Sequence, residues 1–264
     1  MTRSIGVGCF MVTASDGDGC ARVAPRMRSG PADAVTMKQP TPIDLVIFDC
    51  DGVLIDSEII SAQVLIALLA DHGIAIDMDF VRDRFLGRSF PSVAATLRET
   101  FAQPLPEDFE RTYRTELLEA FARDLKPTDG LQAVLEQLDV RVCVATSSSP
   151  ERAHRSLEIA GLLPRFAGQI YTASEVANGK PAPDLFLHAA AREGVPAERC
   201  LVIEDSLPGV AAAEAACMAV VRYAGGSHLD PANISPIAEV ETLSSWAAFA
   251  AHWRALQPQP GDEE

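Results

Sequence analysis

From Ile43 onward, short apolar runs alternate with stretches of helical periodicity, and that pattern leaves few folds open. Strand-like runs at Leu45-Val46-Ile47-Phe48, Val140 to Ala145, Gln169 to Thr172, Cys200 to Ile203 and Met218 to Arg222 interleave with helices predicted at Leu131 to Leu138, Pro150 to Ala160, Asp184 to Glu193 and Pro208 to Cys217. Ser149-Pro150-Glu151 marks one helix start with a capping hydroxyl, a first-turn proline and an acid placed to suit the helix dipole. Alternating β and α units imply an α/β fold built on a doubly wound parallel sheet. In such a sheet the strands end at one shared edge, and chemistry is done in the crevice there.

One helical block interrupts the alternation. After Asp56, the apolar residues Ile59, Ile60, Val64, Leu65, Leu68 and Leu69 recur at helical spacing until Gly73, and helices are predicted near Asp79 to Leu86, Pro91 to Phe101 and Pro106 to Asp124. Pro127 and Gly130 mark the return. The organisation expected is therefore a Rossmann-like core of residues 39–56 and 126–264 carrying an inserted α-helical cap, residues 57–125. Residues 1–38 are rich in Gly, Ser, Pro and Asp without sustained periodicity and read as a flexible N-terminal extension, with Met37 a candidate start. Thr242 to Leu256, which carries both tryptophans, reads as a terminal helix packed on the body.

Composition narrows the class of function. A chain of 264 residues with 48% apolar side chains buries a substantial core. Its formal charge of −15 and lack of a Lys/Arg cluster argue against nucleic acid or an anionic membrane as partner. No apolar run approaches the ~20 residues that span a bilayer. Arg3 followed by Ile5 to Val12 imitates a signal peptide, but glycines break the stretch and it runs into Asp16-Gly17-Asp18-Gly19 without a cleavage site. The six cysteines, Cys9, Cys20, Cys50, Cys143, Cys200 and Cys217, form no CxxC pair and read as reduced core thiols of a cytoplasmic protein.

The strand ends carry the chemistry. Asp49 and Asp51 leave the first strand two residues apart, so both face one way if extended geometry persists, and Gly52 lets the chain turn. Thr146-Ser147-Ser148 follows the second strand, Lys180 lies in Gly179-Lys180-Pro181-Ala182-Pro183-Asp184, and Glu204-Asp205 follows the fourth. Each set has a plainer reading: an Asp-Gly turn, a helix cap, a solvated lysine, a polar strand end. Gathered at one edge, up to four carboxylates would repel one another. A divalent cation relieves that, and oxygen-only ligands favour Mg²⁺.

The set FDCDGVLIDSE, VATSSS, GKPAPD and VIEDSLPGV, in this order and spacing from Ile43 to Tyr223, resembles the haloacid dehalogenase-like superfamily, in its phosphatase and phosphosugar-mutase branch with a helical cap. The resemblance implies that Asp49 attacks phosphorus to form an aspartyl-phosphate, and that Asp51 protonates the leaving alcohol and later deprotonates water. It further implies Mg²⁺ held by Asp49, the Asp51 carbonyl and Asp205, with Glu204 helping directly or through water, and Thr146, the Ser147 amide and Lys180 on the phosphoryl oxygens.

Ester hydrolysis and phosphosugar isomerisation share that first step, so the cap must separate them. Mutase relatives commonly carry a His in the first cap helix where Ser61 stands here, and sugar-phosphate phosphatases with DSE openings are the nearer likeness. Asp51 argues against carbon–halide cleavage. Asp56-Ser57-Glu58 is expected to start the cap helix by side-chain capping, with Glu58 a candidate for facing substrate. Gly87-Arg88-Ser89 lies in a cap loop of the kind that relatives use to select substrate, and Arg88 suits an anionic group. His72, His154, His188, His228 and His252 lack ligand spacing and are expected to be surface or core residues. The expected activity is Mg²⁺-dependent hydrolysis of a small sugar or sugar-acid phosphate by a monomer or small homo-oligomer. A β-phosphoglucomutase-like isomerase and a catalytically silent sugar-phosphate-binding protein are the alternatives.

Overall fold

The computed structural model describes residues 42–85, 88–101, 104–229 and 234–256. The predicted N-terminal extension, Cys9, Cys20 and Gly87 lie outside the described residues.

A six-stranded parallel sheet is laid out in the order β3-β2-β1-β4-β5-β6. Its strands are β1 (Leu45–Phe48), β2 (Arg141–Thr146), β3 (Ile170–Thr172), β4 (Cys200–Glu204), β5 (Ala219–Tyr223) and β6 (Glu241–Leu243). Every residue of β1 is buried, as the unbroken apolar run requires of a central strand covered on both faces. Its pleat sends Val46 and Phe48 to one face, with Val142, Val144, Leu201 and Ile203 of its neighbours, while Leu45 and Ile47 join Cys143, Ala145, Cys200 and Val202 on the other. The chain winds outward from β1 in both directions, so the carboxyl end of β1 sits where the strand order reverses.

The second of these faces is covered by α8 (Asp184–Glu193) and α9 (Leu207–Ala215), whose Leu185, Phe186, Ala189, Ala212 and Ala213 are fully buried. The first packs against α5 (Leu131–Gln137), α6 (Pro150–Ile159), α7 (Leu163–Phe166) and α10 (Trp246–Leu256). The strand and helix bounds follow the predicted ones to within about three residues, except that the short α7 was not predicted and the C-terminus differs. There Glu241–Leu243 adds a sixth strand before the helix begins at Trp246. This corrects the expectation of one helix from Thr242. Three residues, of which only Leu243 is buried, are too few to show alternation, and their conformation is set by pairing with Val221–Tyr223. Trp246 then stacks on Tyr223 with ring centroids 4.4 Å apart and donates Nε1–H to Thr128 Oγ1 at 2.8 Å.

Between β1 and α5 lie α1 (Glu58–Asp71), α2 (Met78–Arg84), α3 (Phe90–Phe101) and α4 (Phe109–Asp124). The two connections to this insert run side by side: Ile55 pairs antiparallel with Pro127, and Asp56 N–H donates to Lys126 O at 3.0 Å. Among the described residues no helix is long and apolar enough to cross a membrane. Cys50, Cys143 and Cys200 are buried free thiols as expected, whereas Cys217 is exposed at the turn after α9, with φ 56°.

Candidate active site

Asp49 leaves β1 at the point of strand reversal, and β2 and β4 flank it with Thr146 and Glu204. Lys180 reaches the same point from the loop before α8. Its Nζ donates to Asp49 Oδ1 at 2.6 Å, Glu204 Oε1 at 2.8 Å and Ala145 O at 3.2 Å, and lies 4.9 Å from the centroid of the Phe186 ring. The lysine side chain is only 2% exposed. Burial works against its charge, but the two carboxylates outweigh that and raise its pKa, so the ammonium is kept.

Ligand oxygens of Asp49, Glu204 and Asp205 lie within 4.8 Å of one another, all three residues buried. Burial pushes Asp49 and Asp205 well above the usual carboxylate range; Lys180 opposes this for both, and the neighbouring carboxylates reinforce it. Three carboxylates against one ammonium leave an excess of buried negative charge, which a divalent cation fits and water-poor surroundings otherwise penalise. The backbone is cut to keep this space open. Gly52 turns the chain at φ +79°, and a side chain on it would overlap the Asp205 carboxylate. A side chain on Gly209 would overlap that of Glu204. Glu204 is further held by Ser206, whose N–H and Oγ–H donate to Oε2 at 2.6 and 2.9 Å while its Oγ caps α9 by accepting from Gly209 N–H at 3.1 Å.

Asp51 is gripped from three directions. Ser57 Oγ and Arg152 Nη2 donate to Oδ1 at 2.6 and 2.7 Å, and Ser148 Oγ donates to Oδ2 at 2.7 Å. Burial alone would raise its pKa, but Arg152 and the hydroxyls prevail and lower it, so this carboxyl is ionised. Ser57 occupies the N-cap position of α1 without capping it; its hydroxyl is spent on Asp51. Asp56 does not cap the helix either, and accepts instead from Ser227 N–H and Oγ–H at 3.0 and 2.8 Å. Both observations correct the capping expected of Asp56-Ser57-Glu58.

A cavity of about 70 Å³ is lined by Asp49, Asp51, Thr146, Ser147, Lys180 and Glu204 on one side and by Glu58, Ser61, Leu65, Phe85, Arg88 and Tyr113 of the insert on the other. Beside it a cleft of about 1260 Å³ is lined by Arg88, Ser89, Arg111, Arg114, Ser147 and Asn178, among others. Thus Glu58 and Arg88 face the inner cavity, and Ser89 only the outer cleft. Burial raises the Glu58 carboxyl to about 8, with Asp51 adding to the effect.

Two site residues carried no signal recognised in the sequence. Arg152 stands in the first turn of α6, where a cation opposes the helix dipole; that placement by itself points to a carboxylate partner. His228, expected at the surface or in the core, has a side chain only 4% exposed with Nε2 2.8 Å from Asp205 Oδ2. The approach lies outside hydrogen-bond geometry and neither ring nitrogen has a hydrogen bond among the described residues. Burial lowers its pKa, so the ring is neutral at neutral pH. The Gly225-Gly226 pair just before it is the visible mark, because a side chain on Gly226 would strike the imidazole.

Residues 43–216 match the model of the haloacid dehalogenase-like hydrolases. The chain is 27% identical over 214 residues to a 6-phosphogluconate phosphatase of Escherichia coli (strain K12), covering 81% of this chain and 96% of that protein. Among solved structures, a conserved haloacid dehalogenase-like protein of unknown function from Agrobacterium tumefaciens str. C58 superposes with a TM-score of 0.70 at 36% identity, over 81% of this chain and 99% of that one. A family hydrolase from Deinococcus radiodurans R1, solved with bound phosphate and sodium, gives 0.66 at 33%, over 82% and 97%. By its motifs, its site and these likenesses, this chain belongs to the haloacid dehalogenase-like hydrolase family.

Proposed function

We propose that this family member, a phosphoric monoester hydrolase, is a Mg²⁺-dependent phosphatase that cleaves a small sugar or sugar-acid phosphate through an aspartyl-phosphate on Asp49. The observation that carries the reading is the bridge made by Lys180 between Asp49 and Glu204, with Asp205 completing the carboxylate set and Asp51 beside it on the same strand end. In this reading Asp49 is the nucleophile, steadied by Lys180 on Oδ1. Thr146, the Ser147 amide and Lys180 hold the phosphoryl oxygens. Asp51, ionised in this arrangement, is the base that deprotonates water when the acyl phosphate is hydrolysed. Protonated when the ester reacts, the same carboxyl gives its proton to the leaving alcohol and regains one from the attacking water, so the cycle as a whole neither gains nor loses a proton on the enzyme.

Asp49, Glu204 and Asp205, with the Asp51 carbonyl, would hold the cation, which when bound offsets charge on the attacking carboxylate and the phosphoryl group. Their oxygen-only donor set favours Mg²⁺. Residues 57–125 act as the cap over residues 39–56 and 126–264, with the paired connections at Ile55 and Pro127 as hinge, closing to exclude water. Glu58, Arg88 and Ser89, together with Gly87, which precedes Arg88 in the sequence, are the cap's substrate-selecting residues, and the protein works as a monomer or small homo-oligomer.

Support for a sugar-acid substrate is the likeness, over nearly the whole of that protein, to a phosphatase named for 6-phosphogluconate. Hydrolysis is favoured over isomerisation because the Ser61 hydroxyl, engaged by Arg152, offers no imidazole for proton transfer within the cap. The test is phosphate release from a panel of sugar and sugar-acid phosphates with and without Mg²⁺. Release from several esters that requires Mg²⁺ is the expected result. Interconversion of 1- and 6-phosphates without release, or no turnover of any ester, would refute the reading.

A further inference from the structure

The surroundings of Asp49, Glu204 and Asp205 treat the three carboxylates unequally. Asp49 and Glu204 both accept from Lys180, and Glu204 accepts from Ser206 as well. Asp205, although buried, accepts from no side chain in hydrogen-bond geometry among the described residues. The side chain nearest to that role is His228, whose Nε2 lies 2.8 Å from Asp205 Oδ2. Both nitrogens of the imidazole are buried and without a hydrogen-bond partner among the described residues, a cost that a ring serving only to fill space would not carry.

Two glycines make the slot in which this ring stands. A Cβ added at Gly52 would come within 2.8 Å of His228 Cε1, and one at Gly226 within 2.6 Å. Gly52 makes room for Asp205 as well, so imidazole and carboxylate share one space at a separation that suits a hydrogen bond. The turn that carries the ring is closed by Leu229 N–H donating to Gly226 O at 3.1 Å. Ser227 fastens the same turn to Asp56, through N–H at 3.0 Å and Oγ–H at 2.8 Å. The imidazole is thus restrained from several sides, whereas the carboxylate that faces it has no other side chain to hold it.

We propose that His228 is a positioning residue of the cation site, which donates from Nε2–H to Asp205 Oδ2 and so turns the other oxygen of that carboxylate toward the divalent cation. The inference rests on the proposed function, in which Asp205 is a ligand of that cation. A carboxylate without a donor swings about its Cβ–Cγ bond, and every orientation that faces away from the cation weakens binding. Because the glycines restrain the ring, the carboxylate is the group that turns, and imidazole and cation select the same orientation of it. Partners of this kind behind a ligand contribute about 10- to 100-fold in metal affinity. Since Nε2 is the nitrogen beside Asp205, the role requires a ring that carries a proton there.

The experiment measures binding of Mn²⁺ without substrate, from the loss of the free ion's electron paramagnetic resonance signal, and of Mg²⁺ by competition against it. His228→Leu, which fills the slot but cannot donate, is expected to raise both dissociation constants roughly 10- to 100-fold. His228→Gln, whose amide nitrogen stands in for Nε2, should recover most of that loss. Equal losses in the two variants would mean that the ring matters only as shape, and His228→Leu binding as tightly as the parent would mean that it does not matter at all; either result overturns the proposal. In the parent at saturating Mg²⁺, nitrogen-15 resonance should show a proton on His228 Nε2, and a bare Nε2 overturns the proposal without any substitution. Asp205→Asn separates the two levels of the reading. If it binds Mn²⁺ as tightly as the parent, Asp205 is no ligand, and the proposed cation site fails together with the inference. If it binds weakly while His228→Leu matches the parent, only the inference falls.

Discussion

Lys180 Nζ lies 2.6 Å from Asp49 Oδ1 although 131 residues separate the two in the chain, and the same ammonium bonds Glu204. The lysine shares this cluster with three buried carboxylates, so in the proposed mechanism it both aims the nucleophile and eases the repulsion among the carboxylates. Lys180→Met, which retains the stem, should lower kcat about 10²–10³-fold, the range seen when one preorganised donor is removed from a transition state. Phosphate release under saturating substrate checks this. A kcat within a factor of a few of the parent would remove Lys180 from the reaction.

Asp49→Asn keeps the shape and an oxygen for Lys180 but removes the proposed nucleophile. Turnover should disappear while the circular dichroism spectrum and thermal midpoint stay close to those of the parent. Persisting turnover at the parent rate would assign the attack to another group.

Gly209 gives a test in which two ordinary rules oppose each other. It lies inside α9, where Ala usually gains about 0.5–1 kcal/mol over Gly. Here the added methyl would overlap the Glu204 carboxylate, which cannot move aside without giving up its hydrogen bonds to Lys180 and Ser206. Gly209→Ala is therefore expected to be destabilising and to raise the Mg²⁺ concentration needed for half-maximal activity. Thermal melts and a Mg²⁺ titration check both; a variant more stable than the parent, with unaltered Mg²⁺ demand, would contradict the overlap.

These residues differ in how plainly the sequence announces them. Asp49, Asp51, Thr146, Lys180, Glu204 and Asp205 were legible because each follows a strand-like run or a turn, and a parallel sheet brings all strand ends to one edge by rule. Arg152 and His228 were not, because their partners Asp51 and Asp205 lie 101 and 23 residues away and are chosen by packing. Ser57 misled for a related reason: a hydroxyl before a helix has a local use, and the nearby Asp51 carboxylate offers a stronger, charged acceptor. The last strand, Glu241–Leu243, escaped because an edge strand of three residues takes its conformation from its neighbour.

Glu58 predicts a pH effect whose sign can be worked out. Its carboxyl is raised from the ordinary 4.5 to about 8, chiefly by burial, with Asp51 and Asp205 adding to the rise and His228 and Arg152 opposing it. Between those values the folded protein binds a proton that the unfolded chain has lost, so the contribution of Glu58 to stability is complete below about 4.5, declines as pH rises and is gone once pH passes about 8. Asp49 and Asp205 are shifted the same way, so the parent alone cannot isolate Glu58. Glu58→Gln can, because its amide resembles the protonated acid and does not titrate. In EDTA, the melting temperatures of parent and variant should lie close together at pH 5, and the variant should gain steadily on the parent up to pH 9. A difference that stays constant with pH would show that Glu58 is solvated and ionised throughout, as it would be if its side chain faced bulk water and not the cavity.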